Sequence, residues 1–311
     1  MLHELPAVSG VDHEVVETSR LRMHVARAGE LGPPLVLLHG WPQHWYAWRH
    51  VIPRFAERYR VLCPDLRGLG WTETPSRGYE KESLASDITA LLDALAIQRV
   101  FLIGHDWGAH AGFLLCLREP QRVERFVALN DIHPWLRLSP KDAVHAWRLW
   151  YQWVLAAPAA GAWLLRNRPS FVRGLIKAWS AKDVWTEQEL AVFAESLREP
   201  QRALASAQYY RTFLLRELVP TLAGRYRNAR LRTPTLLLFG AEDGVIRPHQ
   251  IRGFERHADD MRLELIPGVG HFTPEEAPEL VVDRAIEHFE SAASPASGDL
   301  ERRNLEQLSQ P

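Results

Sequence analysis

The chain has 311 residues with 37 basic and 38 acidic side chains, a formal net charge of −1 that offers nucleic acid or any other polyanion no electrostatic footprint. At 46% hydrophobic and 24% charged residues it can bury one large α/β core or two small ones, which excludes a disordered or fibrous chain. Cys63 and Cys116 are too few for a disulfide framework or a Cys-based zinc site, and with no basic-then-apolar leader in residues 1–10 and no apolar run of about 18 residues a reducing, cytoplasmic setting without a membrane span is expected.

Residues 15–18 and 21–27 alternate in polarity around Ser19-Arg20, which predicts an antiparallel hairpin at a sheet edge. The apolar runs at 35–38, 61–63, 100–103, 126–129 and 235–239 do not alternate and are too short for helices, as parallel strands covered on both faces must be. Another run, at 263–266, alternates in part. Segments of helical period separate them, notably 84–95 after the cap candidate Ser83 and 109–117 ahead of Glu119-Pro120. Alternating strand and helix predict an α/β fold on a mostly parallel, right-handed doubly wound sheet.

The alternation breaks after Asp131. Residues 132–224 carry only helical stretches divided by Pro140, Pro158, Pro169 and Pro200, and Thr233-Pro234 restarts the β pattern. This predicts a core formed by 1–131 and 225–290, an inserted helical cap at 132–224, and a disordered tail at 291–311. Seven of the 12 Trp fall in the cap: Trp135, Trp147, Trp150, Trp153, Trp163, Trp179 and Trp185. They suggest a hydrophobic lid that excludes water.

Gly104-His105-Asp106-Trp107-Gly108 stands between the strand at 100–103 and the helix from 109. Small residues flanking a central acid at a strand-to-helix corner form a nucleophile elbow, in which a sharp turn pushes the central side chain into a site. Taken alone, the same five residues also suit a Gly-rich turn with Asp106 as a helix N-cap. Leu38-His39-Gly40-Trp41-Pro42 follows an earlier strand and, beyond a plain turn, can aim backbone N–H groups at the same pocket. The N–H groups of Trp41 and Trp107 would then form an oxyanion hole. Asp243, in Gly240-Ala241-Glu242-Asp243, and His271, in Gly268-Val269-Gly270-His271-Phe272, both follow strands, where open α/β sheets place their sites. The order nucleophile, acid, His is that of a hydrolase triad.

With these residues the sequence resembles the epoxide hydrolase branch of the α/β-hydrolase superfamily over residues 15–290. The likeness rests on His39-Gly40-Trp41-Pro42, Asp65-Leu66-Arg67-Gly68-Leu69-Gly70, the Asp106 elbow, Asp243 and Gly270-His271-Phe272. In that family two cap tyrosines hydrogen-bond the epoxide oxygen, one in a Tyr-Gln pair before a Pro and one in Tyr-Arg. Tyr151-Gln152 ahead of Pro158, and Tyr209-Tyr210-Arg211, match that pattern. Adjacent residues lie about 100° apart on a helix, so one of Tyr209 and Tyr210 is expected to face the pocket, with Tyr210 preferred. Any single cap Tyr also reads as core.

The resemblance implies hydrolysis of an apolar epoxide to a vicinal diol through a covalent ester on Asp106, served by His271, Asp243, Tyr151 and Tyr210, with no metal or organic cofactor. Pocket-wall residues expected beside them are His39, Pro42 and Trp150. Some relatives place the triad acid where Asp131 stands, although Asp243 is preferred. Haloalkane and haloacid dehalogenases share the Asp nucleophile, but Trp41 replaces their halide-binding Asn, and no Arg follows Asp106 closely to hold a carboxylate. A non-catalytic ligand-binding protein on the same fold is the third reading. Trp45, Trp48 and Trp71 are expected to pack near the entrance. Expected partners are the epoxide and water, and both a monomer and a homodimer are compatible with the sequence. Gly68-Leu69-Gly70 lacks the third Gly of a dinucleotide loop, and the 33 Arg against 4 Lys suggest solvated faces with a few cap-to-core ion pairs.

Overall fold

The structure, a computed structural model, describes residues 4–136, 146–157 and 159–291; Pro140, Pro158 and the expected tail beyond Ser291 lie outside them. The hairpin at the edge is β1 (Asp12–Glu17) and β2 (Arg22–Ala28), paired antiparallel. The apolar runs become β3 (Pro34–Leu38), β4 (Arg60–Pro64), β5 (Val100–His105), β6 (Val123–Leu129), β7 (Thr235–Gly240) and β8 (Met261–Ile266). One eight-stranded sheet joins them in the order β1-β2-β4-β3-β5-β6-β7-β8. β2 meets β4 antiparallel, and every later pairing is parallel.

The central strands are apolar throughout because they are covered twice. Val36, Leu38, Phe126 and Ala128 face one core cluster, built against α2 (Lys81–Ala94) and α3 (Trp107–Arg118). Leu35, Leu37, Val127 and Leu129, the alternate residues of the same strands, face the other, built against α1 (Ile52–Ala56) and the C-terminal helix Pro278–Glu290. Period-two side chains thus fill two layers at once. Trp45 and Trp48 are fully buried in the second layer rather than near an entrance: a short turn carries them under the sheet edge. Helix α2 begins two residues before Ser83, with Glu80 at its N-cap, because the Ser83 N–H already bonds the Glu80 carbonyl within the first turn.

Between β6 and β7 the described residues form helices and turns only: α4 (Trp150–Ala156), α5 (Ala160–Asn167), α6 (Pro169–Trp179), α7 (Glu187–Ser196), α8 (Pro200–Thr212), a π-helical turn at Phe213–Glu217 and α9 (Leu218–Leu222). The inner faces of α4 to α8 share a third apolar cluster with Trp41, Trp107 and Phe272 of the loops at the carboxyl end of the sheet. After β8 come α10 (Thr273–Glu276) and α11, the C-terminal helix Pro278–Glu290. β3 and β5 are neighbours whose chains leave in opposite directions, β3 toward β4 and β5 toward β6. The crevice at that switch point receives the loops after both strands.

Candidate active site

The turn after β5 is strained. Asp106 has φ +51° and ψ −125°, a region that side chains other than Gly seldom occupy, and the small residues around it leave no alternative. A Cβ on Gly108 would lie 2.2 Å from the Leu38 carbonyl, and one on Gly40 2.3 Å from the Asp106 Cβ. The two loops can approach this closely only without those carbons, and the approach brings the Trp41 N–H to Asp106 Oδ1 at 2.8 Å. The Trp107 N–H also donates to the carboxylate.

His271 follows β8 and is buried. Its Nδ1–H donates to Asp243 Oδ2 at 2.8 Å, while Nε2 stands 3.6 Å from Asp106 Oδ2. Its backbone is held from both sides: its N–H donates to the Trp179 carbonyl at 2.9 Å, and its carbonyl accepts from His105 Nε2 at 2.8 Å. Burial disfavours the imidazolium, but Asp243 and Asp106 outweigh it and raise the His271 pKa to about 10. For Asp106 burial likewise opposes the charged form, and His271 first, then His105 and the Trp107 N–H, bring its pKa below the ordinary carboxylate value.

Asp243 accepts four hydrogen bonds: Oδ1 from the N–H groups of Val245 at 2.6 Å and Ile246 at 2.9 Å, Oδ2 from His271 and from Asn130 Nδ2 at 2.8 Å. Asn130 is a residue that sequence reasoning passed over. It follows β6 directly at φ +45°, bonds the Gly270 carbonyl at 3.1 Å as well, and accepts from Thr273 Oγ1. The neighbouring Asp131, the alternative acid, instead pairs with His110 at 3.3 Å. The left-handed turn at Asn130 sends consecutive side chains to different sides, so the residue beside Asp243 is Asn130.

Tyr151 on α4 and Tyr210 on α8 are both buried and meet over Trp41: their rings are 5.6 Å apart and lie 6.3 and 5.2 Å from that indole. Tyr210 also stands edge-on to Trp107 at 6.1 Å. Tyr209 points away and donates to the Arg67 carbonyl at 2.8 Å, so Tyr210 is the one that faces the site. Burial raises both Tyr151 and Tyr210 above the ordinary phenol value, and the Asp106 carboxylate adds to it. Both phenols hold their protons at neutral pH. Trp179, at the end of α6, closes the ring of aromatics, 4.6 Å from Tyr151 and 5.9 Å from the His271 imidazole. Lys81 is a second residue missed in sequence: its buried ammonium stands 4.2 Å over the Trp107 ring, bonding the Tyr209 carbonyl and Glu217. A single Lys at the start of a helix carries no signal of this.

Two expected wall residues lie elsewhere. His39 is buried, but it donates from Nδ1 to the Gly40 carbonyl and accepts the Leu66 N–H on Nε2, so both ring nitrogens brace loops. Trp150 is about half exposed, with its ring against Phe171, because α4 buries the side bearing Tyr151, Gln152 and Leu155 and turns Trp150 away from Asp106. Pro42 is buried behind a cis peptide bond with Trp41. Trp147, Trp153 and Trp163 also face outward, so of the seven Trp in this segment only Trp135, Trp179 and Trp185 are buried, and of these Trp179 reaches the site.

This geometry has counterparts. Residues 33–278 match the family model described as the alpha/beta hydrolase fold. Among curated proteins, the soluble epoxide hydrolase of Corynebacterium sp. (strain C12) is 32% identical over 289 residues, covering 90% of this chain and 97% of that protein. Epoxide hydrolase 4 of Mus musculus is 27% identical over 86% of this chain and 76% of its own length. Among solved structures, the ligand-free epoxide hydrolase CorEH superimposes with a TM-score of 0.79 at 30% identity, over 90% of this chain and 98% of that one.

Proposed function

The chain belongs to the epoxide hydrolases of the α/β-hydrolase fold family, and from that membership we propose that Asp106 is the nucleophile that opens an apolar epoxide to a vicinal diol. The observation that carries this is the placement of one strained carboxylate between two N–H donors, a histidine and two buried phenols.

A carboxylate whose pKa lies below the ordinary value needs no base to activate it. Asp106 attacks an epoxide carbon, the C–O bond breaks, and the alkoxide takes a proton from Tyr151 or Tyr210 as an ester forms on Asp106. Esterification removes the negative charge beside His271 Nε2, so the His271 pKa falls. The proton that the imidazolium then sheds balances the one consumed by the alkoxide. Neutral His271, oriented by Asp243, takes a proton from water as the hydroxide adds to the ester carbonyl. The Trp41 and Trp107 N–H groups stabilise the oxyanion, where one donor contributes roughly 2.7–4 kcal/mol. Collapse releases the diol and restores both the carboxylate and the imidazolium.

In this reading residues 132–224 form a cap on a core of 1–131 and 225–290, whose inner aromatics exclude water and favour uncharged substrates. Cytoplasmic residence fits two buried, unpaired cysteines; among the described residues no helix is long and apolar enough to cross a membrane. The test is a panel of small aryl and alkyl epoxides with diol detection beside a halide-release assay. Asp106→Ala should abolish diol formation, and His271→Gln should accumulate the ester as added mass on the intact protein. Diol turnover that survives in Asp106→Ala, or halide release with no diol formed, overturns the proposal.

A further inference from the structure

Trp147, Trp150, Trp153 and Trp163 are 66, 47, 61 and 56% exposed, whereas every other Trp is buried or, for Trp71, half-buried. Trp150, Trp153 and Trp163 form one outer face. Helix α4 buries Tyr151, Gln152 and Leu155 and turns Trp150 and Trp153 outward; α5 buries Gly161, Ala162 and Leu165 and turns Trp163 and Arg166 outward. Both helices rest on α8 and on each other, so their outer faces lie side by side. Trp150 extends the face to α6 through Phe171, edge-on at 6.0 Å.

The charge on this stretch is one-sided. Between Asp142 and Asp183 the sequence has six basic residues, Arg148, Arg166, Arg168, Arg173, Lys177 and Lys182, and no acidic one, within a chain of net charge −1. Arg173 and Lys177 are drawn to Glu187 and Glu195 of α7. Arg166 and Arg168 are exposed and have no carboxylate partner among the described residues.

We propose that this face docks on the surface of an anionic phospholipid bilayer. Indole rings with an apolar body and a polar N–H settle at headgroup depth, and unpaired Arg beside them adds attraction to anionic lipid. A second copy of the chain fits less well, because a two-fold contact sets the patch against itself and brings its cations together. Tyr151 hangs from the underside of the helix whose outer side carries Trp150 and Trp153, so the bilayer would lie one helix away from Asp106 and supply apolar substrate there. The docking itself does not depend on the reaction proposed above.

The test is sedimentation of the full chain with vesicles of phosphatidylcholine containing a quarter phosphatidylglycerol, against vesicles of phosphatidylcholine alone. Expected are pelleting with the anionic vesicles that fades in high salt, and loss of most binding in Trp153→Ala/Trp163→Ala. Arg166→Gln/Arg168→Gln should weaken binding roughly 30-fold. Both double variants should keep the wild-type melting temperature and turnover of a dissolved epoxide. Protein that stays in the supernatant at every composition, or pelleting that neither variant reduces, overturns the proposal. So does a dimer on size-exclusion chromatography that Trp153→Ala/Trp163→Ala splits, which would give the face to a second copy.

Discussion

Asn130 fixes one oxygen of Asp243 and the carbonyl of Gly270 with the same amide, so it holds Asp243 and the loop that carries His271 in register. In Asn130→Ala the carboxylate keeps three donors and some rotational freedom, and His271 loses a fixed partner. A fall in kcat of about 10- to 100-fold with little change in KM is expected from losing such a supporting contact, read by steady-state kinetics on one epoxide. His271 makes a second prediction. Its folded pKa, raised to about 10, lies above the value of about 6.5 for an unfolded His. The pairing therefore contributes stability that is fully present below pH 6.5 and is lost as pH rises through about 10. Chemical denaturation of wild type and His271→Gln should show a gap at pH 6 that narrows by pH 10.5.

At the scale of elements, the motif after β4 builds rather than reacts. Asp65 is fully buried and accepts the N–H groups of Trp45 and Trp71 at 2.7 and 2.8 Å, with His24 Nδ1 at 2.8 Å. It thereby ties together the chain after β3, the hairpin and its own loop. Burial opposes its charge, yet the His24 hydrogen bond and charge first, then His44 and His39, lower its pKa to about 2. Asp65→Ala leaves three donors unpaired in the interior and should cost about 3–5 kcal/mol, read as a lower denaturation midpoint. In wild type that stability is present above pH 3.8 and disappears as pH falls through about 2.

The sheet was legible because strands buried on both faces must be apolar throughout, and the elbow because its glycines are required by close approach. The helices between β6 and β7 were legible only as a class. At Trp150-Tyr151-Gln152-Trp153 each residue suits either side of a helix, and what selects Tyr151 for the inside is α8 beneath it, which no local pattern encodes. Asn130 escaped for a similar reason: the backbone turn that separates it from Asp131 is set by the tertiary fold.

Across the whole molecule, the helical layer is fastened to the sheet by buried polar contacts at several points. Lys81 Nζ lies 3.3 Å from Glu217, whose other oxygen accepts the Lys81 N–H at 2.8 Å. Arg202 donates to the carbonyls of Leu69 and Thr72 at 3.3 and 2.9 Å, and Arg49 joins Glu189 and Glu275 at 2.7 and 2.8 Å. Trp41 Nε1 donates to Ser206. Breaking one partner of the buried pair should be far worse than replacing both. Lys81→Ala is expected to lose about 3–5 kcal/mol, and Lys81→Met with Glu217→Gln to recover most of it, as thermal melts of the single and double variants would show.

The bond from the His271 N–H to the Trp179 carbonyl has a consequence for traffic through the enzyme. Trp179 ends α6, so any swing of the helical layer large enough to open a doorway would pull on the main chain that carries His271. If that tie keeps the layer in place, molecules enter and leave by threading between standing helices, like mail through a slot. What the slot admits is decided by the girth of the traveller rather than by its length, and a long, slim epoxide should pass where a short, branched one stalls.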